Sequence, residues 1–140
     1  MAKQPINVTA ATLTVDRDTH AGTPVTLNRA AGITVTLPAS TGKGDEYDFF
    51  VGTTVSSNST IIKVANSTDV LQGVIHLTTD IAGTSMPTAA ASDTITMNGT
   101  TTGGVIGSWV RVRDVAVGFW RLEGGLICTG IEATPFSAGV

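Results

Sequence analysis

Charge is scarce in this chain: only 14% of its 140 residues are Asp, Glu, Lys or Arg, against about 25% in ordinary soluble domains. With a mean hydropathy of +0.26, such a chain is expected to hide part of its surface in an oligomer or on a larger body. The eight basic residues are scattered and the net charge is −3. No basic stripe is available to neutralise phosphates, so no nucleic-acid partner is expected. The single cysteine, Cys128, excludes an internal disulfide and any cysteine-based metal cluster within one chain. It stands in the apolar run Leu126–Ile127–Cys128 and reads as a small buried hydrophobe. No apolar run nears the roughly 18 residues of a membrane-crossing helix, so no membrane association is expected. The segment Met1–Pro5 lacks the apolar core of a signal peptide, which implies synthesis in the cytoplasm. Leu, Glu and Lys are sparse, and no long window carries a 3.6-residue apolar period. An α-helical fold is therefore excluded.

What the chain does have is 24 threonines, many Val and Ile, and 16 glycines. These favour strands and tight turns. The cleanest alternation is Ile33, Val35 and Leu37 against Thr34 and Thr36, stopped by Pro38. Further strands are expected from Asn7 to Val15, Pro24 to Asn28, Tyr47 to Val55, Thr60 to Val64 and Val70 to Thr78, with Gly73 read as a bulge. Residues 79–92 read as a long Ala/Ser/Thr excursion. Thr94–Met97 leads into Asn98-Gly99, a strong hairpin signal. Ser108–Val117, Phe119–Glu123 and Leu126–Thr129 complete the set. Short strands joined by short turns predict mostly antiparallel pairing. The expected fold is all-β, an antiparallel β-sandwich or a partly closed β-barrel. Its parts are an N-terminal arm at 1–6 and a single β domain at 7–140 that ends in a tail at 130–140.

Catalytic candidates are weak. His20 and His76 have no partner at metal-ligand spacing. Asp16 with Asp18, and the cluster Asp45-Glu46-Tyr47-Asp48, lack the further oxygen ligands of a calcium loop. No Gly-x-Ser-x-Gly elbow supports a serine nucleophile. The glycines of Thr41-Gly42-Lys43-Gly44 lack phosphate-loop spacing. The reading is a non-enzymatic protein with no cofactor, no metal and no small-molecule substrate. Trp109 shares a strand face with Arg111 and Arg113, and an aromatic beside arginines is typical interface material. Trp120 aligns instead with Leu122.

The run Gly32–Gly44, followed by Tyr47-Asp48-Phe49-Phe50-Val51-Gly52-Thr53, joins a strand, a proline, a Gly-x-Gly loop and an aromatic strand. With the closing Gly130–Phe136, it resembles the head decoration (cement) proteins of tailed bacteriophages over residues 24–136. The resemblance implies a β-rich virion protein on the capsid exterior. Its partners would be the major capsid protein and itself, commonly as a homotrimer, bracing the shell against internal pressure. Interface candidates are then Trp109, Arg111, Arg113 and Phe136. An alternative is a receptor- or glycan-binding domain of a phage fibre or tail protein. A small hydrolase acting on surface glycans is a third reading.

Overall fold

Alternating apolar residues at Val25, Leu27, Val35, Tyr47, Phe49 and Val51 are all buried, and they lie on strands that belong to two different sheets. The computed structural model describes residues 3–140. In chain order the elements are β1 (Ile6–Val8), β2 (Thr12–Thr14), the one-turn α1 (Arg17–His20), β3 (Pro24–Leu27), β4 (Thr34–Thr36), β5 (Glu46–Val51) and β6 (Thr60–Lys63). They continue with β7 (Val70–Thr78), β8 (Gly83–Pro87), β9 (Thr94–Met97), β10 (Trp109–Ala116), β11 (Phe119–Ile127) and β12 (Phe136–Ser137). A seven-stranded sheet has the order β1-β3-β5-β10-β11-β7-β8, and a five-stranded sheet the order β12-β9-β6-β4-β2. Both are mixed, and together they enclose one apolar core.

The first six strands alternate between the sheets. β1, β3 and β5 pair in parallel in the large sheet, and β2, β4 and β6 pair in parallel in the small one. Each return to a sheet takes two corners, so the chain comes back running in the direction it left. Gly32 makes one corner possible. Its φ is +81°, and an added Cβ would sit 2.0 Å from the Ser59 carbonyl oxygen.

Register lines up the core. Across the large sheet Ile6, Val25, Phe49, Val110, Gly124, Ile75 and Met86 form one row. Across the small sheet the facing row is Leu13, Val35, Ile62, Ile95 and Phe136. Burying each large aliphatic or aromatic side chain contributes about 1.5–3 kcal/mol. Tyr47 and Trp120 close one end of the core, with ring centroids 5.8 Å apart.

Several expectations are corrected. Pairing is not mostly antiparallel: five of the ten strand pairings are parallel. The sheets do not close into a barrel, because β1, β8, β12 and β2 remain as edges. The 79–92 excursion contains β8, which folds back antiparallel on β7. Asn98-Gly99 does not make a hairpin, since β9 and β10 lie in different sheets. The Asn98 side chain instead accepts from the Thr100 and Thr102 amides and shapes the crossing loop. Gly73 is no bulge, because its ladder with β11 runs unbroken. The register shift lies in β10, between Asp114 and Ala116. The polar loop after Val15 holds α1, capped by Asp16, whose carboxylate accepts from the Thr19 amide at 2.8 Å. Of the arm, Met1 and Ala2 lie outside the described residues, and Ile6 already belongs to β1.

The C-terminal tail carries β12 and is held beyond it. The Asp93 carboxylate accepts from the Gly139 amide at 2.8 Å, the Val140 amide at 3.2 Å and the Thr94 hydroxyl at 2.7 Å. Burial alone would raise its pKa, but these donors outweigh it and hold the carboxyl below its usual value. A folded pKa below the unfolded one makes the docking complete above about pH 4, and it weakens as pH falls through the lower folded value. Acidification, or Asp93→Ala at neutral pH, is therefore expected to lower the exchange protection of the Gly139 and Val140 amides, each measured against its intrinsic rate at the same pH, by about tenfold. Protection unchanged in both cases would refute this clamp.

Candidate functional site

β10 sorts its residues by parity. Val110, Val112 and Asp114 point inward and are buried, while Trp109, Arg111 and Arg113 stand on the outer face. This outer face brings together three of the four interface residues read from the sequence. Register places Asp48, Arg111 and Glu123 in one row, and Glu46, Arg113 and Arg121 in the next. Arg111 is the hub. It lies 3.5 Å from Glu46, 3.4 Å from Asp48 and 3.7 Å from Glu123. Arg113 reaches Glu46 at 3.9 Å, and Arg121 reaches Glu123 at 3.6 Å. Three carboxylates face three guanidinium groups, so the lattice carries no net charge. Exposed ion pairs add little stability; what this lattice provides is a patterned surface with a defined register of opposite charges.

Beside the lattice lies an aromatic pair. Trp109 and Phe50 are cross-strand partners, 37% and 44% exposed. The indole lies against Gly125, where an added Cβ would sit 2.8 Å from its Nε1. The Arg111 guanidinium carbon stands 5.7 Å from the ring centroid. Asp48, Phe50, Trp109 and Arg111 line an open depression of about 280 Å³.

Phe136 is placed elsewhere. It ends the inner row of the small sheet and packs half-buried against the core. Sequence reasoning missed other exposed apolar residues. Ile81 is 92% and Ile131 86% exposed, and Val115, Val117 and Phe119 cluster at the β10–β11 turn. For Ile81 and Ile131 the available signal was a large apolar side chain inside a segment otherwise built of small and turn residues.

The remaining sequence candidates are scattered. His20 is buried, and its Nδ1 accepts from the Asp16 amide at 3.0 Å. His76 is exposed, 2.7 Å from the Ser85 hydroxyl. Asp45 pairs with Arg17 at 3.1 Å. Hydrogen bonds to Thr19, its backbone N–H first among them, hold the Asp16 carboxyl below its ordinary value. Among the described residues no three His, Cys, Asp or Glu side chains gather as a metal-ligand group. Cys128 is buried, and burial pushes its thiol pKa up.

The Gly-x-Gly loop does cradle an anion, but an internal one. The buried Asp114 carboxylate accepts from the Thr41 amide at 2.7 Å, the Thr41 hydroxyl at 3.1 Å and the Gly42 amide at 2.8 Å. Asp69 similarly accepts from the Ser40 amide at 2.9 Å and its hydroxyl at 3.1 Å. Two buried carboxylates thus tie down the strap at residues 39–44. Comparison of the chain with protein-family models, curated proteins and solved structures returned no match.

Proposed function

We propose that this protein is a non-enzymatic virion component that attaches to the outer surface of a bacteriophage capsid and stabilises it. It would act as a β-sandwich module, assembled as a homotrimer. The observation that carries the proposal is the outer face of the large sheet, where an exposed Trp–Phe pair adjoins a charge-balanced lattice. Trp and Arg are the side chains most enriched at the energetic centres of interfaces. The balanced lattice suits a structured protein surface better than a polyanion. Low overall charge and exposed Ile81 and Ile131 add apolar area of the kind that assemblies cover. The mechanism is adhesive: Trp109 and Phe50 lose water against the partner while Arg111 and its carboxylates fix register. The resemblance of Gly32–Thr53 to head decoration proteins supplies the partner, the major capsid protein.

The experiment is addition of purified protein to undecorated heads. Stoichiometric binding is expected, with Trp109→Ala and Arg111→Ala each weakening it by about tenfold or more. Trp109 is exposed and Arg111 half-buried, both on the outer face away from the core, so the fold should survive these changes. Heads that take up no protein, or that bind both variants like the parent, would overturn the proposal.

A further inference from the structure

The outer face of the large sheet carries its charge in columns. β5 turns Glu46, Asp48 and Phe50 outward, and β10 turns out Arg113, Arg111 and Trp109. Register sets the two columns level: Glu46 beside Arg113, Asp48 beside Arg111, Phe50 beside Trp109. One strand is therefore acidic, its neighbour basic, and both end in an exposed aromatic ring. Within one copy the ion pairs are long, 3.4 Å for Arg111–Asp48 and 3.9 Å for Arg113–Glu46. A guanidinium held this loosely has donors to spare.

A second copy matches this pattern under one symmetry. When two sheets pack face to face, a two-fold axis along the strands keeps every residue at its own level and exchanges the strands on either side. Placed between β5 and β10, the axis lays β10 of each copy over β5 of the other. Arg113 then faces Glu46, Arg111 faces Asp48 and Trp109 faces Phe50 across the interface, each contact made twice. Other placements over the lattice oppose like charges. An axis over β10 sets Asp48 against Glu123, and one between β10 and β11 sets Arg113 against Arg121. An axis across the strands lays the acidic column on itself. Arg121 and Glu123 pair with each other at 3.6 Å and need no second copy. The open depression lined by Asp48, Phe50, Trp109 and Arg111 lies on the β5–β10 boundary and leaves room for the partner's rings. Charge complementarity thus selects the occupant. The four central strands, spaced by about 4.8 Å, offer only a few hundred Å² per copy. A stable complex needs roughly 800 Å² per partner, so association is expected to be weak, with a Kd of about 0.1–1 mM.

We propose that the outer face of the large sheet binds a second copy of this chain about a two-fold axis between β5 and β10. The inference rests on this face and not on capsid attachment, and heads that use the same face would compete with the second copy. Whatever ring the copies form through other surfaces, this contact doubles it. The test is sedimentation equilibrium of the full chain without heads, with the indole N–H signals followed by NMR over the same concentrations. The chain has two tryptophans, and Trp120 is buried in the core. Mass is expected to double with concentration while the Trp109 signal moves and Trp120 stays. Salt at about 0.5 M should weaken the association about fivefold or more. Two double variants then separate contacts between copies from those within one. Glu46→Arg with Asp48→Arg makes both columns basic, and Arg111→Glu with Arg113→Glu makes both acidic. Neither should double alone, and an equimolar mixture should restore the doubled species, since every facing pair is again opposite. All four side chains lie on the outer face, and circular dichroism checks that the variants fold; if one does not, the parent's Trp109 titration and its salt dependence decide. A mass constant up to about 2 mM, doubling that leaves Trp109 unmoved or ignores salt, or folded variants that double alone or fail to rescue each other would each overturn the proposal. A face idle in solution but taken up by heads would assign it to the capsid alone, and would overturn it as well.

Discussion

Replacing Gly73 with alanine is expected to destabilise the protein by about 4 kcal/mol or more, or to prevent folding. Gly73 lies within β7, opposite Leu122 of β11. An added Cβ would sit 1.8 Å from the Leu122 carbonyl oxygen and 2.8 Å from its carbon. Both are backbone atoms, so no side-chain rotation relieves the overlap. The ladder runs from Phe119↔Val70 to Ile127↔Thr78, and moving β7 away at its middle would break hydrogen bonds on both sides. It would also pull Leu71 and Ile75 out of the core. Gly44→Ala is the control. Its φ is +84°, and nothing lies within 4 Å of an added Cβ. It should cost only the left-handed backbone strain of about 1–2 kcal/mol. Urea denaturation of the two variants should therefore separate widely, and similar midpoints would contradict the close approach of β7 to β11.

The contrast between Gly73 as a bulge and Gly73 as a close approach shows what a sequence pattern can report. Alternation at Ile33–Leu37 and at Trp109–Arg113 reports which face each side chain takes, and the buried row at Val35 and the outward-facing Trp109 and Arg113 follow it. It carries no information about which strand lies alongside. Strands such as β1, β3 and β5 are neighbours only because the chain crosses to the other sheet between them, and two successive corners leave no local trace distinct from two hairpin turns. Asn98-Gly99 illustrates the same limit. Its turn geometry forms locally, with Gly99 at φ +86°, but the strand that follows joins the other sheet. Trp109, Arg111 and Arg113 were legible as a surface because one strand carries all three. Glu46, Asp48, Glu123 and Phe50 come to them only through cross-strand register.

The buried carboxylates were harder to read, yet one left a signal. Asp114 follows Val110 and Val112 at the inward-facing parity of β10, so an acid stands where an apolar residue is expected. Such a misplacement implies a set of donors waiting inside, and these are the strap amides. Asp114→Ala is accordingly expected to cost about 3 kcal/mol. It removes a charge-assisted acceptor and leaves the Thr41 and Gly42 amides, together with the Thr41 hydroxyl, without it. Asp114→Asn keeps one carbonyl oxygen but turns a donor toward those amides, so it should lose about 1–2 kcal/mol at least. Denaturant midpoints give the totals, with an unchanged slope showing that the unfolded state is not at issue. Hydrogen exchange gives the location: Thr41 and Gly42 should lose protection, while the β7–β11 ladder keeps its own. A loss below about 1 kcal/mol in Asp114→Ala, with those amides still protected, would mean that the strap is held by Asp69 and its backbone bonds alone.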